Sequence, residues 1–343
     1  MRKEGPCFDL PISIGILAAS EQIKADLLGD FLFLGEVSLD GSLRPVAGVL
    51  PIAAEAQNMG ITGLVVPEDN AREAAVVQGV SVYGFKSIFE VVDFLNYPEN
   101  YQPLKLDSSR ILATPKSTNL DLKDVKGQSH ARRALEIAAT GGHNLIFVGP
   151  PGSGKTMLAR RLPGILPPLN FEEALEVTRI HSVAGLLKNR GTLVSDRPLC
   201  SPPHSASGPS LVGGGSYPKP GEISLAHRGI LFLDELTEFR RNVLEFLRQP
   251  LEDGFVTVTR TRLFLDELTE FRRNVLEFLR QPLEDGFVTV TRTRLSVVFP
   301  SQFTLIASTN PCPCGYYGDP IQACTCSPRQ REQYWAKLSK KVL

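Results

Sequence analysis

The chain has 343 residues, 42% of them hydrophobic and 22% charged, which is ordinary for a water-soluble protein and enough for two hydrophobic cores. Lys plus Arg and Asp plus Glu number 37 each, so no chain-wide basic field attracts nucleic acid, and any DNA contact has to be local. No run of about 18 apolar residues offers a membrane span, and six cysteines, four in one C-terminal stretch, point to metal or reduced thiols rather than a disulfide scaffold. The start, MRKEGPCFDLPISIGILAAS, has a basic end and an apolar run, but Glu4, Asp9 and two prolines interrupt it. It reads against a secretion signal and for a cytoplasmic protein.

In chain order, residues 1–97 read as a small α/β domain. DFLFLGEVSLDGSLRPV predicts two strands about the Asp40-Gly41 turn, VLPIAAEAQNMG a helix ending at Gly60, and ITGLVVPEDN a strand stopping at Pro67. AREAAVVQG predicts a helix, VSVYGF a strand, and SIFEVVDFLN a helix capped by Ser87. Residues 98–118, rich in Pro, Ser and charge, read as a linker. A second α/β unit, 119–343, follows: a helix in QSHARRALEIAATG, a buried strand in HNLIFVG and a helix in KTMLARRLPGIL.

Between that strand and helix lies GPPGSGKT, 149–156. It fits the phosphate-binding pattern G-x-x-x-x-G-K-[ST] in its required context. Gly149, Pro150, Pro151, Gly152, Ser153 and Gly154 wrap the backbone so that amides point inward, Lys155 adds a charge for the phosphates, and Thr156 offers a hydroxyl to Mg²⁺. A nucleotide-hydrolysing site also needs acid at a strand end. GILFLDE supplies Asp234 for Mg²⁺ and Glu235 to polarise the attacking water. FTLIASTNP is a further strand whose Asn310 can sense the terminal phosphate.

The acidic strand occurs twice. LFLDELTEFRRNVLEFLRQPLEDGFVTVTRTR fills 231–262 and recurs unchanged at 263–294, so Asp266 and Glu267 are the alternative pair. Ile230 extends the apolar run of the first copy, whereas Arg262 precedes the second and starts a buried strand poorly. The second copy runs unbroken into the sensor strand, so the join downstream favours it. Two identical copies are too few for a solenoid and read as a recent duplication or a misassembled gene. Finally, CPCGYYGDPIQACTC places Cys312, Cys314, Cys324 and Cys326 as C-x-C-x9-C-x-C. Four thiolates on such a loop suit structural Zn²⁺, although the spacing is tighter than the usual C-x2-C; free thiols or an assembly contact are the other readings.

The segments DVKGQSHARRALEIAATGGHNLIFVGPPGSGKTMLARRLPGILPPL, EALEVTRIHSVAGLL, LVGGGSYPKPGEISLAHRGILFLDELTEFRRNVLEFLRQPLEDG and NPCPCGYYGD resemble the bacterial ComM/YifB family of magnesium-chelatase-like AAA+ ATPases across nearly the whole chain. The resemblance implies a Lon-protease-like (S5 domain 2-like) N-terminal domain, incomplete at its start, followed by a P-loop AAA+ αβα core and a C-terminal lid. It makes Asp234 and Glu235 the Walker B pair and Asn310 sensor 1. It implies a competence-related hydrolase, a hexameric ring driving DNA branch migration with ATP and Mg²⁺. A magnesium-chelatase motor subunit for porphyrin metallation is the first alternative. The chain stops at WAKLSKKVL, before the segment where the family carries its trans-acting arginine and sensor 2, so the core is expected to lack its lid. A catalytically crippled nucleotide-binding remnant is therefore the second alternative, and nucleotide binding with weak turnover is expected. RPLCSPPHSAS also departs from the family pattern at Cys200 and Pro203. In related helicases a hairpin before the sensor strand lines the pore, which makes Arg260 and Arg262, or Arg292 and Arg294, candidates for DNA phosphates; a solvated edge strand is the alternative. Residues 213–215 with Lys219 are a second candidate pore loop, or a plain turn. Asp9 and Leu50 stand where a Lon-type serine and lysine would be and cannot form a dyad, and nothing is placed to activate Cys7, so a docking role is expected of the N-terminal domain.

Overall fold

The computed structural model describes residues 6–106, 120–187, 193–214, 218–239, 243–244, 246–259 and 296–336. The first α/β block comprises α1 (Asp9–Ala19), β1 (Phe31–Phe33), β2 (Glu36–Val37), β3 (Leu43–Arg44), α2 (Val49–Asn58), β4 (Gly63–Pro67), α3 (Glu68–Ala74), β5 (Ser81–Phe85) and α4 (Ile88–Asn96). Its sheet has the order β1-β4-β5 and is parallel throughout. Central β4 is buried at all five positions, and its side chains alternate between two cores. Leu64 and Val66 face α2 and α3, while Val65 faces α1 and α4 with Leu10, Ile14 and Phe94. The short antiparallel pair β2–β3 turns at Asp40-Gly41, where Asp40 Oδ1 accepts from the Ser42 amide (3.0 Å) and hydroxyl (2.7 Å). The Ser87 hydroxyl caps α4 by accepting from the Glu90 amide. The third helix differs from its sequence expectation: it starts directly after Pro67 and stops at Ala74, because the acidic Glu68 and Asp69 suit a first turn.

Part of the stretch read as linker is packed. Tyr101 stacks edge-on against Phe85 and Phe94 and donates to Asp93 at 2.6 Å, and the Leu104 amide donates to Val82 O. Of that stretch, 107–118 lies outside the described residues.

The second block comprises α5 (Ser129–Gly141), β6 (Leu145–Val148), α6 (Lys155–Ala159), α7 (Phe171–Val183), β7 (Leu199–Cys200), α8 (Gly208–Val212), β8 (Gly213–Gly214), β9 (Lys219–Pro220), α9 (Glu222–Leu225), β10 (Ile230–Leu233), α10 (Arg248–Asp253), β11 (Phe255–Thr259), β12 (Ser296–Pro300), β13 (Thr304–Thr309) and α11 (Pro328–Ala336). The main sheet, β6-β13-β10-β7, is parallel. All four residues of β10 are buried: Leu231 and Leu233 enter one core, Ile230 and Phe232 the opposite one. β6 was expected to be a buried strand, but it is the edge of the described sheet, with Phe147 alone buried and Val148 half exposed. The helix expected from Lys155 onward ends at Ala159, and a 3₁₀ turn at Leu162–Gly164 holds Pro163, which cannot continue an α-helix.

The two blocks share a core. Leu34, Val49, Leu50 and Ala53 of the first pack with Leu169, Ala174, Val177 and Leu187 of the second. At this junction the buried Glu73 carboxylate accepts from the Leu50 amide (3.1 Å), Asn70 Nδ2 (3.2 Å) and the Ser182 hydroxyl.

The repeat meets the fold at the β11–β12 hairpin. β10 from Leu231 onward and all of β11 belong to the first copy, and β12 follows the second. Thr259 and Ser296 are the last described antiparallel pair of the hairpin, and 260–295 between them lie outside the described residues.

Candidate functional site: a phosphate loop beside an acidic strand end

The loop 149–154 leaves β6 at the same end of the sheet where β10 and β13 finish. Its start is tied to the sheet, since the Gly149 amide donates to Thr309 O at 3.3 Å. Gly152 (φ 77°) and Gly154 (φ 85°) turn through the left-handed region, which excludes most side chains. From outside, Gln128 Nε2 donates to Ser153 O at 2.7 Å.

Lys155 opens α6 and turns back over the loop. Its ammonium donates to Gly149 O (2.7 Å), Pro150 O (3.0 Å) and Asn310 Oδ1 (3.2 Å). Burial pulls its pKa below the ordinary lysine value, while Asp234 and Glu235 push the other way. Thr156 Oγ1 donates to Asp234 Oδ2 at 2.7 Å, and the Ser308 hydroxyl donates to Asp234 Oδ1. Glu235 has left-handed backbone (φ 54°), and its carboxylate is more than half exposed, 3.9 Å from His204 Nδ1. The structure thus brings together two hydrogen-bonded sets, Lys155–Asn310 and Thr156–Asp234–Ser308, held side by side by the adjacent residues 155 and 156, with Glu235 at their rim. Asp266 and Glu267 lie outside the described residues, as do Arg260, Arg262, Arg292, Arg294 and Gly215; Lys219 is exposed on β9.

The donor set fits a magnesium nucleotide. A threonine hydroxyl and a carboxylate are hard oxygen ligands of the kind Mg²⁺ takes. The positive-φ Gly152 and Gly154 place no Cβ at two points of the loop, and no heavy atom lies within 4 Å of where a Gly152 Cβ would stand. The Lys155 ammonium sits among carbonyls that a phosphate can replace.

Three contributors escape the sequence reading. Ser308 is fully buried on β13 and touches Asp234 only because β13 pairs with β10. A polar residue inside an apolar strand was its available signal. Gln128, at φ 54°, gives no local signal. Tyr334 of α11 joins Thr237 Oγ1 (2.6 Å) and Thr309 Oγ1 (3.2 Å), coupling the segment after Glu235 to the end of β13.

The four cysteines lie immediately beyond Asn310. The sulfurs of Cys312, Cys314, Cys324 and Cys326 all lie within 4.8 Å of one another. Amides of Tyr316 and Thr325 pull the Cys314 thiol down to about 5, while burial pushes Cys326 up to about 11. In the first block, burial raises the Cys7 thiol and Leu50 is fully buried, so neither position shows activated-nucleophile character.

A parallel α/β sheet with a phosphate loop on β6 and an acidic end on β10, one strand (β13) further in, defines a P-loop nucleotide-binding class. Residues 121–263 and again 261–343 match the family model described as magnesium chelatase, subunit ChlI, and residues 1–70 match subunit ChlI of Mg-chelatase. The chain belongs to this magnesium-chelatase-like AAA+ family. The two matches meet where one copy of the repeat ends and the next begins. Competence protein ComM of Haemophilus influenzae is 43% identical over 342 residues, 98% of this chain and 59% of that protein. The uncharacterized protein YifB of Salmonella typhimurium is 42% identical over 340 residues, again 98% and 59%. Lon protease 2 of Bacillus subtilis is 26% identical over 110 residues, 31% of this chain and 20% of that protein. The chain therefore spans about three-fifths of the length of the first two relatives. Among the described residues, no helix is long and apolar enough to cross a membrane.

Proposed function

We propose that this chain is an ATP-hydrolysing motor subunit that works on DNA as part of a ring, with residues 119–343 as the motor and 1–97 as a docked Lon-like module. The single observation that carries the reading is the convergence of Lys155–Asn310 and Thr156–Asp234–Ser308 on the phosphate loop. On binding, the loop amides take the phosphates and the Lys155 ammonium exchanges its carbonyl partners for phosphate oxygens. Thr156 and Asp234 would hold a Mg²⁺, which would supply neutralisation of phosphate charge. Glu235 orients and deprotonates the attacking water, and Asn310, released from Lys155, hydrogen-bonds the terminal phosphate. The name of ComM, which matches 98% of this chain over 59% of its own length, supports a role in competence; branched DNA is the substrate proposed with it.

The test is a titration of the 343-residue chain with a fluorescent adenine nucleotide, with and without Mg²⁺. Magnesium-dependent binding that Lys155→Ala weakens at least tenfold is expected, about 1.4 kcal/mol. Absence of magnesium-dependent binding overturns the reading. The family description favours a second reading, a chelatase motor acting on a porphyrin. ATP turnover stimulated by branched DNA decides for the first, and turnover indifferent to DNA for the second.

A further inference from the structure

The segment from Asn310 to α11 carries two unusual features together: a cluster of four thiols and direct packing on the phosphate loop. Cys312 is fully buried, and its sulfur lies 3.3 Å from that of Cys314 and 3.6 Å from that of Cys324; Cys314 and Cys324 are also 3.6 Å apart. These separations far exceed a disulfide bond. Zinc–thiolate bonds of about 2.3 Å in a tetrahedron put neighbouring sulfurs about 3.8 Å apart, close to what is found. The sulfurs also receive backbone support, from the Cys314 amide to Cys326 Sγ (3.3 Å) and from the Cys326 amide to Cys324 Sγ (3.4 Å). Such N–H donors offset the excess negative charge of a tetrathiolate.

The cluster is joined to the nucleotide site on two sides. Gly315, in the turn closed by its amide on Cys312 O, sits so near Pro151 that a Cβ there would lie 2.7 Å from Pro151 Cδ. On the other side, Cys326 leads through Ser327 into α11, whose Trp335 Nε1 donates to Pro311 O at 3.1 Å and whose Tyr334 reaches Thr237 and Thr309. Asn310 is thus held between the end of β13 and a loop that four sulfurs close.

We propose that Cys312, Cys314, Cys324 and Cys326 bind one Zn²⁺ as a tetrathiolate, and that this ion braces the loop after β13 against the phosphate loop so that its occupancy sets nucleotide affinity. Binding exchanges the thiol protons, released to solvent, for the metal, and no oxidation state changes. The bracing half rests on the nucleotide-site reading; the metal half does not. Trp335 is the only tryptophan of the chain, so its emission reports on this corner without any nucleotide.

The experiment is metal analysis of the purified full chain, then removal of metal with a chelator and a thiol-reactive mercurial, reduction, and reloading with zinc. Near one zinc per chain is expected, absent from Cys314→Ser and Cys326→Ser. Cobalt reloading should give tetrahedral thiolate bands. Removal should shift Trp335 emission to the red and weaken fluorescent ADP binding roughly tenfold, and reloading should restore both. A reduced wild-type chain that takes up no zinc when offered it, or that pairs these cysteines as disulfides, overturns the proposal. Zinc that binds yet leaves Trp335 emission and nucleotide affinity unchanged on removal overturns the brace. Absence of nucleotide binding in both metal states sinks the nucleotide reading and with it the brace, while zinc content and Trp335 emission still decide the metal site.

Discussion

Two glycines of the cysteine loop allow its contact with the phosphate loop to be weighed apart from backbone strain. Gly315 (φ 89°) and Gly318 (φ 82°) have nearly the same left-handed conformation. Alanine at either costs about 1–2 kcal/mol for that conformation alone. At Gly318 an added Cβ meets nothing within 4 Å, so the strain is the whole effect. At Gly315 the Cβ lies 2.7 Å from Pro151 Cδ, against 3.4 Å for ordinary contact, so the phosphate loop or the cysteine loop must yield by about 0.7 Å. Overpacking of that kind adds about 1–3 kcal/mol. Urea unfolding followed by Trp335 fluorescence should therefore give a loss of about 1–2 kcal/mol for Gly318→Ala and about 2–5 kcal/mol for Gly315→Ala. Because the extra strain falls on Pro151, Gly315→Ala should also weaken fluorescent ADP binding about tenfold, and Gly318→Ala should leave it unchanged. Equal nucleotide affinities in the two variants would refute the reasoning.

Further outcomes follow from buried polar groups. His227 is neutral in the fold: its Nδ1 accepts from the Gln302 amide at 3.1 Å, which leaves Nε2–H to donate to Glu176. Burial holds its pKa below the ordinary 6.5, so the unfolded chain takes up the proton first as pH falls. Its stabilising contribution is present above pH 6.5 and is lost as pH falls through the folded value. Burial works against the charge on Glu176, but Arg228 and His227 outweigh it and hold that carboxyl below 4.5, adding a loss in the same direction at more acid pH. The urea midpoint of the wild type should drop between pH 7.5 and 5.5, and His227→Gln should flatten that drop; an equal slope in both would count against this account. At the junction of the two blocks, Glu73→Ala strands three buried donors and should cost about 3–5 kcal/mol, whereas Ser182→Ala removes one partner and should cost about 1–2 kcal/mol. Equal denaturation midpoints would show that the network contributes nothing beyond one bond. Tyr334→Phe, which loses the hydroxyl shared by Thr237 and Thr309, should cost about 1–2 kcal/mol.

The parts of this molecule that could be read from sequence are those whose chemistry is local. The phosphate loop is written in consecutive residues, and Asp234 is marked by the apolar run before it. What sequence did not disclose depends on which distant strands become neighbours. Ser308 meets Asp234 through β10–β13 pairing, and Tyr334 reaches Thr237 across 97 positions. An apolar run cannot tell a central strand from an edge, and so β6 read as buried. Pro163 was visible, yet its effect on the helix after Lys155 was missed. Between two identical acidic strands, local sequence had only the flanking residues to weigh. The described sheet contains the first copy, with Ile230 paired to both Leu199 and Thr304.

That arrangement makes the duplication reversible at the level of the protein. Excising 263–294 joins Arg262 to Leu295 and leaves Arg260, Thr261, Arg262 and Leu295 between the paired Thr259 and Ser296. Four residues are an ordinary span for a tight β-connection. Because the copies are letter-for-letter the same, loss of either one yields the same 311-residue product (343 − 32), with every described strand intact and no scar at the seam.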